Sequence, residues 1–206
     1  MKGLLQKDLY MIWRYGRTLL LISLVFLAVS VMGENRDNFF FVIYPVLFGG
    51  VLPVTLISYE ERCGWNSWCD TMPVSRSTVV NARYVCTFLC FLALYLLTLA
   101  VQAVVRIPRG EGKALLELAQ VLPAMGLVTP AVMLPVTLRW GVEKGRLVYY
   151  VVIGLLVALG LILFQNIRDL GGTLPPLVMG LSLPLTLLVF AASWLLSVRI
   201  YQNREF

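Results

Sequence analysis

Uncharged, strongly apolar runs alternate with short polar segments along this chain, at 18–33, 38–59, 84–105, 118–138, 147–167 and 170–198. A helix needs roughly 20 apolar residues to cross the hydrocarbon of a bilayer, so runs of this length bounded by charge read as spanning helices. The first run is the shortest; Trp13 and Tyr15, with the snorkelling Arg14 and Arg17, extend it into the headgroup region. The pattern predicts an all-α membrane protein of six transmembrane helices, one domain over 1–206, with spans at about 18–34, 38–58, 83–105, 116–138, 147–166 and 175–198. Ahead of the first span, Leu5, Leu9, Ile12 and Trp13 recur at helical spacing against Lys2, Gln6 and Arg14, which predicts an amphipathic helix lying in the interface. Ala28-Val29-Ser30 superficially resembles a secretory cleavage site, but the apolar runs that follow argue for an uncleaved span.

Composition agrees with this reading. Of 206 residues 59% are hydrophobic and only 14% charged, with a mean hydropathy of +0.83, whereas soluble domains carry about a quarter charged residues. The cations are segregated. With six spans, twelve of the seventeen Lys and Arg residues fall on the side of both termini, and five (Arg36, Arg106, Arg109, Lys113 and Arg168) on the other. The positive-inside bias therefore predicts cytoplasmic termini and a cytoplasmic 59–83 loop. The net charge of +6 is then the inner face of a membrane protein, and no separate basic patch points to nucleic acid.

Within the spans, Gly and Pro mark the irregular places. The second run holds Gly49, Gly50 and Pro53, where close packing competes with a bend that moves. The fourth holds Pro123, Gly126, Pro130 and Pro135; each proline removes a backbone donor, which predicts a kinked or locally unwound helix facing the bundle or a partner subunit. Cys86 and Cys90 lie one helical turn apart and read as small packing residues.

Several chemistries are excluded. No Asp, Glu, Lys, Arg or His falls near the middle of a predicted span, Glu34, Arg83 and Glu117 lying at span ends, which argues against an ion-coupled carrier or proton pump. No Walker-type phosphate loop is present, so ATP is not hydrolysed here by that route. The chain has no histidine, which removes the usual base of a membrane-embedded hydrolase, and no metal cluster is apparent.

The segment from Tyr59 to Arg76 stands apart. It opens on Glu60-Glu61, carries Trp65 and Trp68, and closes on Pro73, Ser75 and Arg76, whereas a hydrated linker needs none of these. Together with the opening Met1–Tyr10, the Leu134-Pro135 and Gly141–Arg146 segments, and the ending Ser197–Phe206, it resembles the six-span permease family of type-2 ABC exporters, the group that includes exporters of bacterial amphipathic peptides. The resemblance covers almost the full chain. It departs from the family's usual residues at Glu60, Met72 and Arg83, each time conserving charge or bulk.

That resemblance implies a permease subunit of the cytoplasmic membrane of a bacterium, which exports a hydrophobic or amphipathic substrate and is paired with a second copy or a paralogue. It implies no cofactor in this chain, with ATP and Mg bound by a separate cytoplasmic ABC ATPase, and membrane lipids as its other neighbours. It makes the loop between spans 2 and 3 a coupling helix, with Glu60, Glu61, Gly64, Trp65, Trp68, Pro73, Ser75 and Arg76 as ATPase-docking residues. Gly49, Gly50, Pro53, Pro123, Gly126 and Pro130 are the expected kink or pathway positions. The alternatives are a non-transporting immunity or sensor subunit, or a membrane-embedded lipid-modifying enzyme.

Overall fold

A backbone in hydrocarbon must satisfy its own N–H and C=O groups, and the apolar stretches that the structure describes accordingly fold as helices. The computed structural model describes residues 2–32, 39–65, 75–148, 150–151, 154 and 176–202; among them there is no strand. The helices are α1 (Lys2–Tyr15), α2 (Arg17–Met32), α3 (Phe39–Arg62), α4 (Arg76–Arg106), α5 (Gly112–Trp140) and α6 (Pro176–Gln202), with a helical segment at 142–148. Among the described residues four helices are long and apolar enough to cross a membrane, and α1 with α2 makes a fifth if that bent pair is one span. The expected span at 147–166 lies mostly outside the described residues.

Within the described residues α2 covers 16 residues of the first expected span, about 24 Å. It starts at a 65° bend from α1, across the buried Gly16, whose missing β-carbon leaves room for Leu52 of α3. The expected apolar face of α1 is also divided. Leu5 and Ile12 turn inward with Asp8, while Leu9 and Trp13 are 50% and 76% exposed. A charged group decides the rotation, because Asp8 and Lys7 meet at the end of α3.

Helix α5 is the centre of the bundle, packed on α3, α4 and α6. It stays helical through all three of its prolines, so no local unwinding occurs. The reason is tertiary. Proline at position i+4 leaves the carbonyls of Ala119, Gly126 and Ala131 without their helical N–H, and a neighbour closes over each. Tyr95 Oη of α4 donates to Ala119 at 2.9 Å. Ser193 Oγ of α6 donates to Ala131 at 2.6 Å. At Gly126 the cover is steric: a β-carbon on Gly50 of α3 would lie 2.8 Å from that carbonyl oxygen. A β-carbon on Gly49, the adjacent residue, would lie 3.3 Å from the Phe91 Cα of α4. The two glycines thus admit two different helices. Pro53 lies within α3.

Helix α6 inverts the soluble pattern. Its leucines at 185, 188, 195 and 196 face outward, while Ser193 and Ser197 are buried. Ser197 donates to Tyr84 of α4 at 2.7 Å, and Tyr84 to Ser193 at 2.8 Å; since Ser193 donates onward to Ala131, each hydroxyl proton is used once. Interhelical hydrogen bonds of this kind average about 0.6 kcal/mol in membrane proteins. Ser193→Ala breaks two links at once, and we expect about 1 kcal/mol lower stability, read as an earlier midpoint in a denaturing-detergent titration.

Candidate functional site at the ends of α3 and α5

Helix α3 ends in the dipeptide Glu60-Glu61, and the two carboxylates part company at once. Glu60 is buried, 5% exposed, and faces Arg83 of α4 and Lys7 of α1. Arg83 Nη2 lies 2.7 Å from Glu60 Oε2. Lys7 Nζ bonds the other oxygen and also lies 3.2 Å from Asp8, itself 6% exposed. Two cations and two carboxylates make a neutral cluster, the condition under which burial of charge is tolerated. It pins together three elements distant in sequence.

Glu61 turns the other way. Its Oε2 accepts a hydrogen bond at 3.1 Å from the backbone N–H of Val142, at the start of the 142–148 helical segment. A carboxylate there satisfies an otherwise orphaned donor and complements the positive end of the helix dipole. Gly141 makes the turn with φ +84°, and a β-carbon on it would stand 3.4 Å from Glu61. The left-handed backbone favours glycine at this position.

Gly64 ends the helix with φ +68° and is exposed. Trp65 then folds back beneath Lys7, whose Nζ stands 4.1 Å from the ring centroid, a cation–π contact. The indole packs against a core cluster that includes Ile57, Tyr84, Leu134 and Val142, and its N–H meets no acceptor among the described residues. Ser75 caps α4: it is extended, with φ −68° and ψ 143°, and its Oγ accepts from the Thr78 N–H at 3.4 Å. Arg76 is the first residue of α4. Trp68 and Pro73 lie outside the described residues.

Of the expected docking residues, the structure therefore gives Glu60, Glu61, Trp65 and Ser75 partners within the chain. Arg62, Cys63 and Gly64 are exposed. Of the expected kink positions, Gly50, Gly126 and Pro130 meet at one α3–α5 crossing, where Pro130 Cδ would be 2.9 Å from a β-carbon on Gly50. Pro123 is buried one turn beyond Ala119 in α5. Lys7, Asp8, Arg83, Gly141 and Val142 escaped the sequence reading as site residues; the signal available for Arg83 was a charge abutting the start of the 84–105 run. Among the described residues no group of His, Cys, Asp and Glu is disposed to hold a metal ion.

Apolar helices whose buried ionic groups gather at one end of the bundle define a multi-pass membrane protein. Residues 3–202 match the family described as ABC-2 family transporter protein, and the chain belongs to that family: it is an ABC transporter permease, the transmembrane component that associates with an ABC ATPase. No curated protein and no solved structure matches it.

Proposed function

We propose that this permease is an exporter subunit of the bacterial cytoplasmic membrane, with both termini and the loops at 59–83 and 139–146 in the cytoplasm. It moves a hydrophobic or amphipathic substrate out of the cytoplasm or the inner leaflet. It works paired with a second copy or a paralogue, and each permease is driven by a separate ATPase that binds ATP and Mg. The ATPase docks on the first cytoplasmic loop, through Trp68 and Pro73 and the exposed edge at Arg62 to Gly64.

The observation that carries this reading is the tie between Glu61 and Val142. It joins the first loop to the second across the chain, while Glu60 joins the same loop to α1 and α4. A push on the docking segment is thereby delivered to four helices rather than one. In this arrangement Glu60 and Glu61 transmit motion and the residues beyond them make the contact.

Two variants separate those roles. Interface energies concentrate in a few anchors, with losses of about 2 kcal/mol or more on truncation, so Trp68→Ala should weaken ATPase capture in a pull-down by tenfold or more. Glu61→Ala should retain capture but lose most substrate-stimulated ATP hydrolysis in proteoliposomes. Wild-type capture by Trp68→Ala, or full stimulation in Glu61→Ala, overturns the respective assignment.

A further inference from the structure

Between the end of α3 and the turn that follows α5 lies a cleft of about 360 Å³, lined by Glu61, Arg62, Trp140, Glu143, Lys144 and Arg146 among others. Its three cations come from two segments some 80 residues apart, and all three are exposed. Among the described residues none of Arg62, Lys144 and Arg146 has an ion-pair partner. Of the two carboxylates, Glu61 is turned to the Val142 N–H, and the lining keeps an excess of cations, three against two.

A role in topology alone requires cations near the ends of spans; it does not require them to converge on one cavity. The surroundings add two further features. Trp140, half exposed and stacked under Arg139 at 5.3 Å, has the amphipathic character of a side chain at a headgroup boundary. Beyond Arg146 the same segment presents Leu147, Tyr150 and Val151 to the exterior, at 67%, 66% and 68% exposed. A cationic cleft thus continues into an apolar strip at one end of a membrane bundle. Basic pockets between transmembrane helices take anionic headgroups on these terms.

We propose that this cleft binds the phosphodiester headgroup of an anionic phospholipid, with Arg62, Lys144 and Arg146 around the phosphate and an acyl chain along Leu147 and Val151. A bound lipid would brace the same two loops that Glu61 ties together, so lipid composition would tune the stiffness of the coupling end. The site shares Arg62 with the edge proposed for docking, while Lys144 and Arg146 belong to the second loop, so lipid retention and ATPase capture are read separately.

The test is native mass spectrometry of the delipidated full chain in detergent, with phosphatidylglycerol and phosphatidylcholine of identical acyl chains as probes. We expect phosphatidylglycerol to be retained at least about tenfold more strongly, each basic residue near a membrane surface contributing roughly a fivefold factor. Arg62→Gln, Lys144→Gln and Arg146→Gln together should abolish that preference, Lys144→Arg should keep it, and Arg109→Gln in the turn after α4 should leave it unchanged. Equal retention of the two lipids by the wild-type chain overturns the proposal, a result that needs no variant. So does a preference that survives the triple substitution. Displacement of phosphatidylglycerol by inorganic phosphate would identify a free-anion site instead. Loss of ATPase capture by the triple variant with unchanged lipid retention would identify a protein-docking surface instead.

Discussion

Glu60→Ala is expected to destabilise this protein by about 3–5 kcal/mol, the usual cost of removing one partner from a buried ion pair. The size follows from what is left behind. Arg83 is 7% exposed and would keep its charge without Glu60 at 2.7 Å, and Lys7 would lose the contact that holds α1 to α3. Removing charge from both sides is a different experiment. Glu60→Met with Arg83→Met deletes the pair and leaves Lys7 beside Asp8, at 3.2 Å. Well-packed apolar replacements of buried ion pairs are often neutral or stabilising, so the double variant should recover most of the loss. The readout is the midpoint of a denaturing-detergent titration, with membrane expression beside it. A Glu60→Ala chain within about 1 kcal/mol of wild type would mean that the cluster is wetter and weaker than its burial indicates. Recovery in the double variant is the result that separates a structural carboxylate from one needed for docking.

Gly50→Val should be the second severe change. A β-carbon there would meet a backbone oxygen of Gly126 at 2.8 Å and the Pro130 ring at 2.9 Å. Neither is the movable end of a flexible side chain, so α3 and α5 must separate. Overpacking a tight core costs about 1–3 kcal/mol, and in a membrane the loss of close contact removes a principal force between helices. Separation also uncovers the Gly126 carbonyl that Pro130 has orphaned. Gly112→Ala supplies the control, because nothing lies within 4 Å of a β-carbon at the start of α5. If Gly50→Val and Gly112→Ala titrate alike, the close approach of α3 and α5 contributes nothing to the bundle.

The glycine pair shows how far a sequence reading goes. Gly49-Gly50 announces close packing, because small residues in a span admit another backbone, but it does not say that adjacent residues serve two different helices. The prolines of α5 are a sharper case. Position i+4 identifies each orphaned carbonyl from the sequence alone, which makes a break in the helix the natural expectation. Whether it breaks depends on what stands opposite, and Tyr95 and Ser193 are supplied by helices 24 and 62 residues away in sequence. Ser193 and Ser197 had a legible signal, two hydroxyls one turn apart in a leucine-rich run. Their partner Tyr84 did not.

What the sequence by itself determined is therefore the solvent and the class. Apolar runs of bilayer length mark a helical membrane protein, since that property depends on local composition and on lipid, and the resemblance carried by the 59–76 segment and the chain's other motifs adds the permease family. The tertiary structure decided which way each side chain at the segment faces. Glu60 and Glu61 are neighbours with the same chemistry, yet one is buried against Lys7 and Arg83 and the other caps Val142. On an α-helix consecutive residues point about 100° apart. Which of those directions meets a cation and which meets a helix terminus is fixed by the packing of α1, α4 and α5 around the end of α3, and no pattern within the segment encodes it.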